Sequence, residues 1–272
     1  MNYDSGYHLL FSNVKLVEDL IRHFVPETWV EQLDFSSLSR VNAKFHAQSL
    51  QRREGDIIYR VDLNDGGTIY LYLLLEFQSQ IDYWMPVRIN TYVCLLYQQL
   101  IEEKQITIDT GLPPVFPLVL YNGDKPWKAA LDLRSLIKLP KSSPLWAYQP
   151  DMGYYVVEER LHPVEKGDSL AGLLFEFEQC RNPAQFVSVI SRLTRIISQP
   201  KDTELSRAFS KFIKYVLSQK KGIPLRLEDV TELAEVQEML STRLEQWQEE
   251  YLQQGREEGR EEGKSTLLYL QL

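Results

Sequence analysis

Hydrophobic and polar residues alternate over residues 56–63, and the neighbouring, mostly apolar stretch 68–78 becomes polar at every second position toward its end, at Glu76 and Gln78. Successive side chains of a strand point to opposite faces, so a period of two predicts two β-strands. The segment "NDGG", residues 64–67, separates the two stretches. Asparagine, aspartate and glycine are typical of tight turns, and the three segments together therefore predict a β-hairpin.

A helical period of 3.6 governs most of the remaining chain. It predicts an amphipathic helix over residues 4–24, ended by Pro26, and a helix over 83–104 with Pro86 in its first turn. In the second half it predicts helices over 170–180, 184–198, 203–220 and onward from about 227. Apolar runs at 113–123 and 153–160 predict further strands, and "LDFSSL" predicts a short one within the otherwise unassigned segment 27–55. This order predicts an α/β fold, a mixed sheet flanked by helices, with a mostly helical C-terminal extension.

Composition narrows the functional classes. The 272 residues carry a net charge of −8, which argues against holding nucleic acid by bulk electrostatics but leaves room for a basic groove or for acids clustered around a cation. The two cysteines, Cys94 and Cys180, have no metal-ligand spacing. No apolar run reaches the roughly 18 residues of a membrane span. We therefore expect a soluble, cytoplasmic protein without a membrane partner.

The parity of the hairpin strands separates an apolar face from a face that carries acids. The odd positions of both strands are apolar throughout. The even positions include Asp56 in the first strand and Glu76 in the second, both at the end away from the turn. A buried carboxylate needs a partner, and either a cation or an arginine would serve.

Loop length decides whether the two acids share a face, because a shift of one residue turns a whole strand over. A two-residue loop at Asp65-Gly66 would pair Asp56 with Leu75 and separate the acids. A three-residue loop over 65–67 would pair Asp56 with Glu76, and a divalent cation between them would remove their repulsion. The alternative is structural: Asp56 pairs with Arg52, Arg53 or Arg60, and Glu76 pairs with Arg88.

Several segments of the chain resemble a known family. The segments "REGDIIYRV", "YLYLLLEFQSQIDYWMPVRINTYV" and "LPPVFPLVLYNGDKPW" are similar to the Rpn family of recombination-promoting nucleases, also known as YhgA-like transposase-type proteins, of the PD-(D/E)XK nuclease superfamily. The N-terminal "YDSGYHLLFSNVKLVEDLI" and the tail "LEQWQEEYLQQGREEGREEGK" also resemble this family.

The resemblance implies roles for particular residues. Asp56 and Glu76 match the acids of the metal site, with the carbonyl of Phe77 as a further Mg²⁺ ligand (Mn²⁺ or Ca²⁺ as alternatives). Gln78 stands where lysine is usual and would orient the attacking water. Asp4 matches an acidic position of the first helix and is an accessory ligand, while His8 stands where the family has a lysine. Arg88 and Tyr92 match the helix after the motif, and Arg88 is a possible accessory residue.

Other residues allow both a functional and a structural interpretation. Trp84, Trp127 and Trp146 could stack on bases or anchor the core. The loop 121–127 and six basic residues could contact phosphates or lie on solvated surface: Arg52, Arg53, Lys125, Lys128, Lys138 and Lys141. The four scattered histidines are weak candidates. The segment 255–264, with glycines four apart, is either a frayed helix end or a contact for self-association.

The sequence thus predicts a nuclease-like core over 1–165, a helical extension over 166–240 and a charged tail over 241–272. The predicted function is Mg²⁺-dependent DNA cleavage in recombination or mobile DNA, with DNA as partner and homo-oligomers formed through the C-terminal helices. One alternative is a catalytically degenerate module that acts by DNA or protein contacts, and another is a helical adaptor that works through its tail.

Overall fold

The computed structural model describes residues 3–41, 56–76, 81–123, 125–161, 169–219 and 231–242. These residues divide into two compact units, 1–175 and 176–272. The first unit holds a five-stranded sheet with helices on both faces, and the second unit is helical. The predicted α/β class with a helical C-terminal region is therefore confirmed.

The sheet has the strand order β1-β2-β3-β4-β5, formed by Leu33–Val41, Asp56–Leu63, Thr68–Glu76, Val115–Tyr121 and Tyr155–Glu158. Strands β1, β2 and β3 are antiparallel to one another, whereas β3, β4 and β5 run parallel. A parallel pair needs a long crossover, and α3, Met85–Glu102, supplies it between β3 and β4. The sheet is therefore mixed, as predicted, and the predicted strands 56–63, 113–123 and 153–160 are present within a few residues.

The N-terminal segment forms two helices, α1 over Tyr3–Leu10 and α2 over Val14–Phe24, so the prediction of one helix over 4–24 is wrong. The break lies at Ser12 and Asn13. The side chain of Asn13 accepts a hydrogen bond from the N–H of Lys15 at 3.0 Å and so acts as the N-cap of α2. Asparagine favours this position because its short amide replaces a missing helical partner.

Helices cover both faces of the sheet. On the odd-numbered face the buried Tyr59 donates a hydrogen bond to the carbonyl of Phe11, beside α1. On the even-numbered face, Ile58, Tyr70 and Val119 form one core cluster with α3. Both faces of the hairpin therefore meet helices, because the even positions before the acids are apolar enough to bury a second helix.

The second unit contains the end of α4 (Leu170–Gln179), α5 (Pro183–Ile196) and α6 (Thr203–Gln219), and residues 233–242 are also helical. Phe177 packs its ring against Phe186 at 5.2 Å and Phe212 at 6.4 Å between centroids. Arg192 binds the carboxylate of Glu176 at 2.7 Å. These three predicted helices are confirmed, whereas the tail segment 255–264 lies outside the described residues.

Candidate active site

The predicted acids lie on the edge of the sheet where the parallel strands end. Glu76 is the register partner of Tyr121 on β4, and Tyr121 is the partner of Glu158 on β5. Strand β2 runs the opposite way and begins at this edge with Asp56. We call this row of strand ends, formed by Asp56, Glu76, Tyr121 and Glu158, the carboxyl edge.

The hairpin register differs from both predicted pairings. Asp56 lies opposite Leu74, and Asp62 lies opposite Thr68. The loop therefore begins one residue earlier than the predicted three-residue loop: Leu63 donates its N–H to the carbonyl of Gly67 at 3.1 Å, which encloses residues 64–66. The backbone reaches this turn with positive φ angles of 97° at Gly66 and 98° at Gly67, which glycine adopts at little cost.

The odd loop length has a direct consequence for the site. Glu76 follows Leu74 by two residues, so strand alternation assigns positions 56 and 76 to the same face of the sheet. Diagonal neighbours of this kind in an antiparallel pair are about 7–8 Å apart at their Cα atoms. The direct opposition of Asp56 and Glu76 is thus wrong, but the shared face that a common cation needs is present in the backbone register.

The decisive side chains lie outside the described part of the structure. This holds for the side chains of Asp4, Asp56 and Glu76 and for all of residues 77–80, including Phe77 and Gln78. Their roles stay a prediction. Among the residues described with side chains, no group of three or more histidines, cysteines or carboxylates is placed to hold a metal ion. Two carboxylates supplemented by a backbone carbonyl are oxygen ligands of the kind Mg²⁺ accepts.

Glu158, at the far end of the carboxyl edge, anchors the loop after β4. Its carboxylate accepts a hydrogen bond from the N–H of Trp127 at 2.8 Å. The Trp127 ring meets the ring of Tyr121 edge-on at 4.9 Å, and its indole N–H donates to Tyr154 at 3.2 Å. Trp127 is therefore an anchor of the loop 122–127. Asp124 in that loop lies outside the described residues.

Burial determines the protonation of the tyrosine beneath this loop. It raises the pKa of Tyr154 to about 12, against the opposing effect of the Trp127 hydrogen bond. The Tyr154 hydroxyl donates to the carbonyl of Ala130 at 2.7 Å. It is therefore neutral at pH 7 and unsuited to act as a general base.

A second acid at this edge, Glu159, fixes the first helix. It is only 2% exposed, and its carboxylate accepts a hydrogen bond from Tyr7 of α1 at 2.9 Å. His8 on the same helix lies 3.1 Å from the guanidinium of Arg40 on β1. These contacts set the position of α1, the helix that carries Asp4. Sequence reasoning missed Glu158 and Glu159, because "EER" after a short strand is indistinguishable from a solvated strand end.

The predicted accessory residue Arg88 lies in the first turns of α3, and its guanidinium is 3.6 Å from the carboxylate of Asp82. Asp82 also accepts the N–H of Trp84 at 2.9 Å, so it organises the start of the helix. Tyr92, one turn further on, is buried in the cluster beneath α3. Arg60, an alternative partner for Asp56, pairs with Asp62 at 3.3 Å. Arg52 and Arg53 lie outside the described residues.

The protein is therefore an α/β protein whose sheet contains a helical crossover and carries acid positions at the ends of its strands. Comparison with known proteins then identifies the family: the chain belongs to the family described as "Putative transposase, YhgA-like", which matches residues 2–165. The chain is also similar to the recombination-promoting nuclease RpnD of Escherichia coli O157:H7, with 30% identity over 125 residues. The matched segment is 43% of this chain and 46% of the relative, so the match spans about half the length of that relative. No solved structure matches the chain.

Among the helices of the described residues, none combines the length and the apolarity that crossing a membrane requires. The predicted domain limits at 165 and 240 and the predicted oligomer through the C-terminal helices stay predictions.

Proposed function

We propose that the protein is a DNA endonuclease that hydrolyses phosphodiester bonds with the help of Mg²⁺, in recombination or the movement of DNA elements. The observation that carries the proposal is the hairpin register, which assigns positions 56 and 76 to one face at the carboxyl edge. The family match and the name of the RpnD relative support it independently. A cytoplasmic location is part of the proposal.

In this proposal Asp56, Glu76 and the carbonyl of Phe77 hold the cation. When bound, Mg²⁺ neutralises the charge that grows on the phosphate and lowers the pKa of a water molecule. Gln78 orients the attacking water through its side-chain amide, because an amide donates and accepts hydrogen bonds without carrying charge. Tyr7 and Glu159 hold α1, and with it Asp4, in a fixed position beside the sheet.

The test is nicking of supercoiled plasmid in the presence of Mg²⁺ or Mn²⁺. Loss of an outer-shell partner of a metal site reduces activity by roughly 10- to 100-fold. Asp56→Ala and Glu76→Ala remove proposed ligands of the cation itself, so each should reduce nicking by more than this. Asp62→Ala is the matched control, because it removes the same acid from the other end of β2. Circular dichroism should show that all three variants fold. Cutting by both edge variants at the parent rate would place the active site elsewhere.

The second candidate function is a degenerate nuclease fold that acts through DNA or protein contacts. The observation that favours it is Gln78 itself, since glutamine cannot take up a proton or stabilise a developing hydroxide as lysine does. Gln78→Lys separates the two candidates. It should keep or raise the cleavage rate if residue 78 serves the water, whereas an unchanged absence of cleavage together with metal-independent DNA binding would support the degenerate module.

A further inference from the structure

The connection between β4 and β5 concentrates positive charge in an otherwise acidic protein. Residues 125–148 contain five basic residues and one acid, a net charge of +4; with Asp124 and Asp151 the full connection 122–154 carries +2, whereas the whole chain carries −8. All five basic side chains are exposed: Lys125, Lys128, Arg134, Lys138 and Lys141.

Little of this charge is neutralised locally. The one acid within 125–148, Asp132, accepts hydrogen bonds at 2.7 and 2.8 Å from the N–H and the hydroxyl of Ser135, a residue of the 3₁₀ turn Arg134–Leu136. Arg134 forms an exposed ion pair with Asp151 at 3.4 Å. Within the described ranges, none of the four lysines lies within ion-pair distance of a carboxylate.

The outer part of the connection is a loop that is held in place by contacts among its own residues. The guanidinium of Arg134 lies 4.5 Å above the ring of Trp146, and the indole N–H of Trp146 donates to the carbonyl of Pro140 at 2.9 Å. Ser143 donates its N–H to the same carbonyl at 2.9 Å. Lys138 and Lys141 therefore lie on a loop that is closed by contacts of its own, so less conformational entropy is lost when a ligand binds. Tyr148, at the end of this loop, is 81% exposed.

The inner part of the connection is tied to the carboxyl edge. Lys125 and Lys128 flank Trp127, whose N–H is bound by Glu158 at that edge. Leu133 then contacts the segment that leads into β5, where its N–H donates to the carbonyl of Met152 at 3.1 Å. The basic residues thus begin beside the Glu158 end of the carboxyl edge and continue along the connection.

We propose that residues 125–148 form the surface that binds the sugar-phosphate backbone of DNA and positions it at the carboxyl edge. This inference rests on the proposed function. Lysine ammonium groups bind phosphate oxygens without reading bases, so the surface should hold DNA without sequence preference. Each phosphate contact releases counterions, and binding should therefore weaken steeply with salt.

The experiment compares two double variants, K125Q/K128Q and K138Q/K141Q, with the parent. The charge-matched control is K104Q/K211Q, which removes two lysines that are also exposed but lie outside the connection. Binding of a fluorescently labelled duplex is followed by anisotropy in EDTA across a salt series, and urea unfolding verifies that each variant folds. Because EDTA prevents metal-dependent cleavage, this result is separable from the plasmid-nicking result.

Each double variant should bind more weakly than the parent, and its slope of log K against log salt should fall by up to about 1.8 for two lost phosphate contacts. The control should keep the parent affinity and slope. Equal losses in the control, unchanged binding in both test variants, or a parent that binds no DNA would each overturn the inference. If Asp56→Ala loses nicking but still binds DNA, the result supports the inference that residues 125–148 bind DNA independently of cleavage.

Discussion

At the scale of single residues, three tryptophans that could not be told apart from the sequence have different environments in the structure. Trp127 packs against Tyr121 and Tyr154 and donates its indole N–H inside the fold. Trp146 lies under the guanidinium of Arg134 in the connection between β4 and β5. Trp84, at the start of α3, is 68% exposed. Of the three, Trp127 is therefore a structural anchor, whereas Trp84 is available to a partner.

This difference predicts opposite effects on stability. Trp127→Ala should lower the free energy of unfolding by about 3 kcal/mol, the low end for truncating a packed tryptophan, because it removes two ring contacts and a hydrogen bond. Trp84→Ala should change it by less than about 0.5 kcal/mol, as exposed substitutions do. Urea unfolding followed by circular dichroism measures both. Similar losses in the two variants would contradict the assignment.

The sequence predicts some site residues and hides others for a physical reason. The candidate acids Asp56 and Glu76 could be found because strand alternation is local and visible in a few residues. The hydrogen bond from Tyr7 to Glu159 joins residues 152 apart in the chain. No local period records such a contact, because it depends on how α1 and the end of β5 meet.

At the scale of elements, the β2–β3 turn controls the candidate site. The sequence shows a turn at "NDGG" but is compatible with several loops of two or three residues, because each places a glycine where positive φ is needed. The structure uses residues 64–66, followed by Gly67. Strand existence was therefore predictable from the residues, whereas the register needed the geometry of the turn.

Gly66→Ala tests the backbone demand of this turn. A Cβ at Gly66 would meet no heavy atom within 4 Å, so the cost arises from φ alone. We expect a loss of about 1–2 kcal/mol in the free energy of unfolding, the cost of positive φ for an alanine. Asp65→Ala, at the exposed neighbouring position, should change it by less than about 0.5 kcal/mol. An equal effect of the two substitutions in thermal or urea unfolding would contradict the argument.

At the scale of the whole molecule, the first unit is closed by polar contacts between its two ends. Asp19 of α2 accepts the N–H of Ala171 at the start of α4 at 2.8 Å, again across 152 residues. Phe175 of α4 packs on Phe24 at 5.0 Å, whereas Phe177 packs on rings of the second unit. The boundary between the two compact units, after Phe175, thus falls inside one helix, and helical periodicity along the chain carries no signal of such a boundary.

Asp19 also predicts a pH dependence of stability. Burial raises its pKa above 3.8, although the N–H groups of Ala171 and Leu170 and the charge of His23 oppose this effect. The folded state therefore binds the proton of Asp19 more tightly than the unfolded state does, and this proton binding stabilises the fold at low pH. The stabilisation is lost as the pH rises from 3.8 through the pKa of Asp19 in the folded state. Asp19→Asn should remove this decline, which urea unfolding between pH 3 and pH 7 would show. A parallel pH profile in the two proteins would contradict the assignment.

The three-residue hairpin loop carries a constraint on evolution. Adding or deleting one residue there would rotate every position of β2 to the opposite side relative to β3, and Asp56 would then leave the side on which Glu76 stands. Relatives that keep a working acid pair should consequently differ from this protein at that turn by even numbers of residues, or compensate a single insertion with a bulge further along the strand.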